Sequence, residues 1–477
     1  MYEMKKNLGF LFVSLLAVVS TLLSACSPSE SKPRVHVAEV VSEERATDEY
    51  QVLVEGEPLQ VHVAGVSKDV QRPPLSLDAD YYFSSFDFSG GAVEVEIRCP
   101  KALAALSVHS VAGSLPVRIV NGVGRFELAH PGQYLIERND NGRKDPLLLF
   151  ANEIEKDVPS EGDAGVVFYG PGFHEAGLIQ LSDNQTLYLA QGAVVNGRVE
   201  AQGDNITIRG RGLLENSGEE HNWKYIVSAK DSTNFTVEGI TIRKHTRGWT
   251  LVTKACEDVL ISNVKIVGSH SYNDDGIDLC HTRRAVVENC FVRTNDDCFA
   301  FKGMDRENLS NIEDLEVRGC MFWSDLCTAI LLGDESHSKY MRNITFRDCL
   351  VPYLSYEKYP KKFLMIHSCE EMKMENILIE NFQIGGEGQA HNYIEIASEF
   401  NQWCETERAG SIDGILLKNI HLTGPEGSYK IVVKGFDDQH RTRNVTFENC
   451  TINGKVITAD YLQLEVGDFV EGLSFGD

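Results

Sequence analysis

Apolar and polar positions alternate along this chain in two textures. Between residues 36 and 160 short runs alternate strictly, as in Gln60-Val61-His62-Val63, Ala92-Val93-Glu94-Val95-Glu96-Ile97 and Arg125-Phe126-Glu127-Leu128. Gly-Gly at 90–91, Pro-Gly at 131–132 and Asn-Asp-Asn-Gly at 139–142 punctuate them. Period-two patterning with closely spaced turn signals predicts a β-sandwich. No catalytic residue types gather there, which leaves the region to stabilise or cap the next domain, or to help hold a glycan.

From residue 161 to 477 the texture changes. A motif of the form apolar-x-turn-apolar returns as Val237-Glu238-Gly239-Ile240, Val287-Glu288-Asn289-Cys290, Val317-Arg318-Gly319-Cys320, Ile379-Glu380-Asn381-Phe382 and Phe447-Glu448-Asn449-Cys450. Its turn positions 239, 263, 289, 319, 348, 381, 419 and 449 are separated by 24, 26, 30, 29, 33, 38 and 30 residues. A fixed motif at such a period signals a solenoid. Short β-rich units without an amphipathic helix fit a parallel β-helix, whose coils stack at about 4.8 Å. Equivalent positions then form ladders, with Ile, Val and Cys inside and Asn, Asp or Gly at the bends. The expected fold is all-β: a right-handed parallel β-helix over 161–477, preceded by a small β-sandwich over 36–160.

The first residues carry an address. Lys5 and Lys6 precede an apolar stretch, Leu8 to Leu23, that ends in Leu23-Ser24-Ala25-Cys26. This reads as a secretory signal over 1–25 and is set aside from the fold. Its ending resembles a bacterial lipobox, which implies cleavage before Cys26, a lipid on that thiol and a tether over 26–35. The expectation is a monomeric cell-envelope lipoprotein of a Gram-negative-type bacterium, in contact with membrane through that anchor alone.

Composition narrows the function. The net charge is −25 and no Lys/Arg cluster stands out, which excludes a nucleic-acid binder. Twelve cysteines leave eleven after Cys26, with no CxxC pair to suggest a zinc or redox motif. Cys290, Cys320, Cys349 and Cys450 recur at one place in the repeat and are expected to pack as buried thiols.

One place breaks the repeat's own chemistry. Residues 273–278 read Asn-Asp-Asp-Gly-Ile-Asp, and residues 294–298 read Thr-Asn-Asp-Asp-Cys. Asp275 and Asp296 lie 21 residues apart, about one coil, so stacking brings them together with Asp297 beside them. Any single Asp here is ordinary bend chemistry, as Asp278 or Asp437-Asp438 illustrate. Three clustered carboxylates instead need compensating hydrogen bonds, a cation such as Ca²⁺, or a function. A shared environment drives their pKa values apart, which supplies the acid and the base that glycosidic hydrolysis requires.

At these residues the chain resembles the polygalacturonase and dextranase clan, the β-helical glycoside hydrolases of families 28 and 49. Asn273-Asp274-Asp275-Gly276-Ile277-Asp278 is similar to the polygalacturonase motif Asn-Thr-Asp-Gly-Ile-Asp, and Asn295-Asp296-Asp297-Cys298 to Gly-Asp-Asp-Cys. Tyr169-Gly170-Pro171-Gly172-Phe173-His174 is similar to the junction of dextranase-like enzymes, where a β-sandwich precedes the helix. The resemblance implies that Asp296 is the general acid, that Asp275 and Asp297 activate water, and that hydrolysis inverts configuration. It implies no metal or organic cofactor.

The chain also departs from that pattern. Cys327-Thr328-Ala329 stands where polygalacturonases carry Gly-His-Gly, and Met365-Ile366-His367 where they carry Arg-Ile-Lys. Losing those cations removes the partner that an acidic sugar needs, so a neutral poly- or oligosaccharide is the expected substrate. Asn273, Lys302, Trp249, His270, His367 and Glu335 are the candidate substrate contacts, with His281, Trp223 and Trp323 weighed beside them. Lys302 is close enough in sequence to pair with Asp305 or Glu307 instead. A β-helical polysaccharide lyase and a catalytically inactive glycan-binding surface protein are the competing readings.

Overall fold

The computed structural model describes residues 33–41, 46–65, 80–139, 141–217, 225–245, 247–268, 273–304, 310–354, 362–387 and 390–476. The signal segment with Cys26 lies outside them, as do Trp223, His270, Asp305 and Glu307.

The N-terminal region is a sandwich of two mostly antiparallel sheets. One is centred on strands Tyr82–Ser89, Leu147–Glu153 and Gly132–Arg138, the other on Gln51–Val54, Val93–Arg98 and Val123–Leu128. Alternation decides which residues face inward. Val93, Val95 and Ile97 are buried against Phe86, Leu128, Ile136 and Leu147, while Glu94 is exposed. Burial of apolar area at about 25 cal/mol per Å² is the main force holding the two sheets together.

Beyond residue 165 the described strands pair in parallel, apart from one short terminal hairpin, and the chain coils as a right-handed parallel β-helix. One inward ladder runs Val227, Leu251, Ile277, Phe299, Ile330, Leu364 and Ile394. A second runs Phe235, Val259, Ala285, Leu315, Ile344, Ile377, Ile415 and Val445. All of these side chains are buried in one continuous core.

The bends explain the repeat. All eight turn residues read from the sequence have left-handed backbone: Gly239, Asn263, Asn289, Gly319, Asp348, Asn381, Asn419 and Asn449, with φ between 49° and 81°. Gly, Asn and Asp tolerate that region best. The amides then bond up the stack: Asn449 Nδ2 donates to Asn419 Oδ1 (2.7 Å), Asn419 to Asn381 (2.9 Å) and Asn381 to Asp348 (2.8 Å). Cys290, Cys320, Cys349 and Cys450 are buried free thiols just inside these bends.

The sandwich braces the coil that leads to the clustered acids. Arg293, fully buried in strand Phe291–Thr294, donates to Asp325 Oδ2 (2.8 Å) and lies 4.0 Å over the Tyr81 ring. Phe150 packs on Phe291, and Lys265 donates to Asn152 Oδ1 (2.7 Å).

Candidate active site

The two Asp motifs fall on consecutive coils, at the turns that open strands Ile277–Cys280 and Phe299–Lys302. Ile277 pairs with Phe299, and Gly276 N–H donates to Asp297 O (2.8 Å), so Asp275 sits in register with Asp297. Gly276 makes this approach possible. A Cβ there would meet Val292 Cγ1 at 2.5 Å and Cys298 O at 2.6 Å.

Hydrogen bonds fix each carboxylate. Asp296 Oδ2 accepts from Asn273 N–H (2.7 Å) and its Oδ1 from Asp297 N–H (3.1 Å). Asp297 Oδ1 accepts from Thr328 N–H on the next coil (3.1 Å). Asp275 Oδ2 faces Lys302 Nζ at 3.3 Å, and its Oδ1 has no hydrogen-bond partner although it is buried. Asp275 and Asp297 are 2% and 5% exposed, whereas Asp296 is half-buried. Asp296 is thus the member of the trio that meets solvent.

Burial raises the proton affinities of Asp275 and Asp297. It pushes Asp275 up to about 6, with Lys302 opposing and Asp296 adding to the shift. Burial, then Asp296 and Asp275, hold Asp297 well above the usual carboxylate range. These sites interact strongly and titrate as a unit. Three coupled carboxylates that retain a shared proton near neutrality have the parts of an acid–base device.

Lys302 organises the cluster. Its Nζ lies 3.3 Å from Asp275, 3.0 Å from Glu335 Oε1 and 4.6 Å from the Trp249 ring centroid. Burial disfavours the ammonium, but Asp275 and Glu335 outweigh it and raise its pKa well above the ordinary lysine value. Trp249, half-buried, stacks on Tyr225 at 5.7 Å. Trp249, Lys302, Glu335 and the trio therefore form one constellation, and Asn273 joins it through its backbone.

Other candidates are turned away from a sugar. His367 is fully buried, and its Nδ1 pairs with Asp334 Oδ1 at 2.9 Å, so it is no sugar contact. Burial would lower its pKa, but Asp334 and Glu399 raise it to about 9. Trp323 is buried too, edge-on to Phe291 and Tyr353, and belongs to the core rather than to a glycan face. His281 is buried with Nδ1 at 3.0 Å from Ser310 O. Met365 is nearly buried beside Leu331 and Ala300.

Three further residues belong to the site. Asp274 Oδ1 accepts from Asn295 N–H (2.8 Å) and Asp296 N–H (2.9 Å), which sets the second motif's turn. Asp278 is buried with neither oxygen hydrogen-bonded, and burial, then Asp275, push its pKa far up. Lys244 is buried and donates to Gly248 O; burial lowers its pKa, opposed by Asp274 and Asp275. Asp278 had only its place in the motif to mark it, and Lys244 nothing, because its proximity is created by folding.

Residues 181–314, which include both Asp motifs, match the model of glycosyl hydrolases family 28. No curated protein matches the chain. Among solved structures, the family 28 exopolygalacturonase of Yersinia enterocolitica is 13% identical, with 81% of this chain and 93% of that one covered and a TM-score of 0.46. A hyperthermoactive exopolygalacturonase from Thermotoga maritima is 18% identical, covering 65% and 83%, with a TM-score of 0.47. A polygalacturonase from Erwinia carotovora is 14% identical, covering 66% and 84%, with a TM-score of 0.31. Over residues 181–314 this chain is similar to glycosyl hydrolases family 28, and its parallel β-helix resembles that of the polygalacturonase clan.

Proposed function

We propose that this protein hydrolyses the glycosidic bonds of a poly- or oligosaccharide with inversion, through Asp275, Asp296 and Asp297. One observation carries the reading: Asp275 stacks in register with Asp297 across one coil, with the half-buried Asp296 bonded to Asp297 N–H. Inverting hydrolysis needs an acid for the leaving oxygen and a base for water on the opposite face of the sugar. Asp296, which meets solvent, is the acid. Asp275 and Asp297, a coupled pair that shares a proton, activate the water with the charge that remains, and Asp275 Oδ1, without a hydrogen-bond partner, is the acceptor for it. Lys302 keeps Asp275 ionisable, and Trp249, half-buried and stacked on Tyr225, supports Lys302 beside the cluster.

A neutral glycan fits the charges around this cluster best. Lys302 is neutralised by Asp275 and Glu335, and His367 by Asp334 and Glu399. Neither has charge to spare for a uronate. The test is a panel of neutral and acidic polysaccharides, with the anomer of the first product followed by proton NMR. Inverted product from a neutral glycan supports the proposal. Retained configuration would reject the mechanism, galacturonan as sole substrate would reject neutrality, and an ultraviolet-absorbing product would point to eliminative cleavage.

The anchor belongs to the same proposal. A lipid on Cys26 holds the enzyme in the cell envelope, and Cys26→Ala then moves it from the membrane fraction to the soluble one. Unchanged fractionation would reject the anchor.

A further inference from the structure

Beside the acid cluster, two segments bring metal-ligand side chains together. The end of strand Leu364–Ser368 supplies His367 and Cys369, and the loop after strand Ala390–Ser398 supplies Glu399 and Cys404. One ligand atom from each of His367, Cys369 and Cys404 lies within 4.8 Å of the other two. His367 is fully buried, and its Nε2 makes no hydrogen bond. Glu399 Oε1 lies 3.5 Å from that nitrogen.

We infer that His367 Nε2, Cys369 Sγ and Cys404 Sγ form a three-ligand site for a borderline-soft divalent cation, Zn²⁺ above all, with a fourth position left for another donor. Nitrogen and thiolate ligands select that class of ion over Ca²⁺ or Mg²⁺. The spacing suits it. Two N or O donors about 2.1 Å from a tetrahedral Zn²⁺ stand about 3.4 Å apart, and two thiolates about 3.8 Å apart. The 4.8 Å limit on the three ligand atoms leaves them a short closing movement to such edges.

The surroundings are those of a ligand set. Asp334 Oδ1 holds His367 Nδ1 at 2.9 Å and accepts from Asn401 Nδ2 at 2.7 Å, which fixes the ring and leaves Nε2 as the nitrogen without a hydrogen bond. A carboxylate on the far nitrogen is the usual outer partner of a metal-bound imidazole. Asn401 N–H donates to Cys404 Sγ (3.4 Å), and Lys434 Nζ balances Glu399 Oε2 (2.6 Å). The cation ties the 399–410 loop to the coil that bears Asp334 and Glu335, one residue from the Lys302 ion pair. Its role is to clamp that coil beside the acid cluster. Spacing gave no warning, since His367, Cys369 and Cys404 form no CxxC pattern.

Metal content of the full chain tests this. Purified with reductant and stripped by chelator, it is titrated with Zn²⁺ and, separately, with Co²⁺. The expected result is one equivalent bound per chain, with a thiolate-to-Co²⁺ charge-transfer band in the near ultraviolet. Cys404→Ser, at a half-buried position, loses the band and binds at least tenfold more weakly with an unchanged circular dichroism spectrum. Asp334→Asn keeps the ligands and weakens binding by about 10- to 100-fold. Full reactivity of both thiols toward a disulfide reagent in the presence of Zn²⁺ would overturn the site. So would a mass lighter by the two hydrogens of a Cys369–Cys404 disulfide after reductant is removed.

Discussion

Asp275 and Asp297 occupy the same register on consecutive coils, joined by the Gly276 N–H to Asp297 O bond of 2.8 Å. Two carboxylates at strand spacing and out of water cannot both ionise cheaply. Their cost is offset by Lys302, by N–H donors and, in our account, by function.

That cost predicts a stability gain on neutralisation. The folded-state pKa of Asp275 is raised to about 6 from 3.8, so its protonated form favours folding and the contribution fades as pH rises through 6. Between about pH 4 and 6 stability therefore falls with rising pH. Asp275→Asn makes this slope shallower, with Asp297 and Asp278 supplying what remains, and stabilises the neutral-pH protein. Denaturant titrations at several pH values check it, and an unchanged slope in the variant would count against it.

Lys302 sets where the cluster loses activity in acid. The water-activating carboxylate must be ionised, so kcat/KM falls as pH drops through about 6. In Lys302→Met the favourable charge at 3.3 Å is gone, the charged form of Asp275 is disfavoured, and the acid limb moves to higher pH. A pH–rate profile reads the shift directly. A limb displaced to lower pH would contradict the pairing.

Gly276 is required by close approach. An alanine Cβ would collide with Cys298 O at 2.6 Å, a backbone atom that cannot rotate away. Gly276→Ala is expected to cost about 1–3 kcal/mol and to reduce activity by parting the coils. A thermal melt equal to wild type would show that the coils yield more easily than this.

Arg293 tests the bracing by the sandwich. Its removal leaves the Asp325 carboxylate buried beside Tyr81, without the 2.8 Å guanidinium bond. Arg293→Met should destabilise by about 3–5 kcal/mol. The double variant Arg293→Met with Asp325→Leu recovers much of it. Equal stabilities of single and double variants would dismiss the pair as a determinant.

Much of this was legible in the sequence because a solenoid writes its geometry locally. Asn263, Asn289, Asn381 and Asn419 mark bends that need left-handed backbone, and each bend repeats the same demand. The Asp motifs were legible for the same reason, since a spacing of one coil means a shared neighbourhood. What the sequence hid depends on side-chain direction and long loops. His367 stands where polygalacturonases carry a sugar-binding cation, yet it is buried and paired with Asp334 and Glu399. Trp323 and Met365 are outwardly plausible contacts that packing has buried. Lys244 reaches the acids from an earlier coil without any motif. Cys404 meets Cys369 only because a loop folds back 35 residues later.

The most direct measurement is the rate of reducing-end release from the best glycan of the panel by wild type, Asp275→Asn and Asp296→Asn. Loss of a catalytic carboxylate predicts a fall of about 10²–10⁴-fold or more in each variant, with circular dichroism unchanged. Wild-type rates in both variants would contradict the assignment of hydrolysis to this stacked trio.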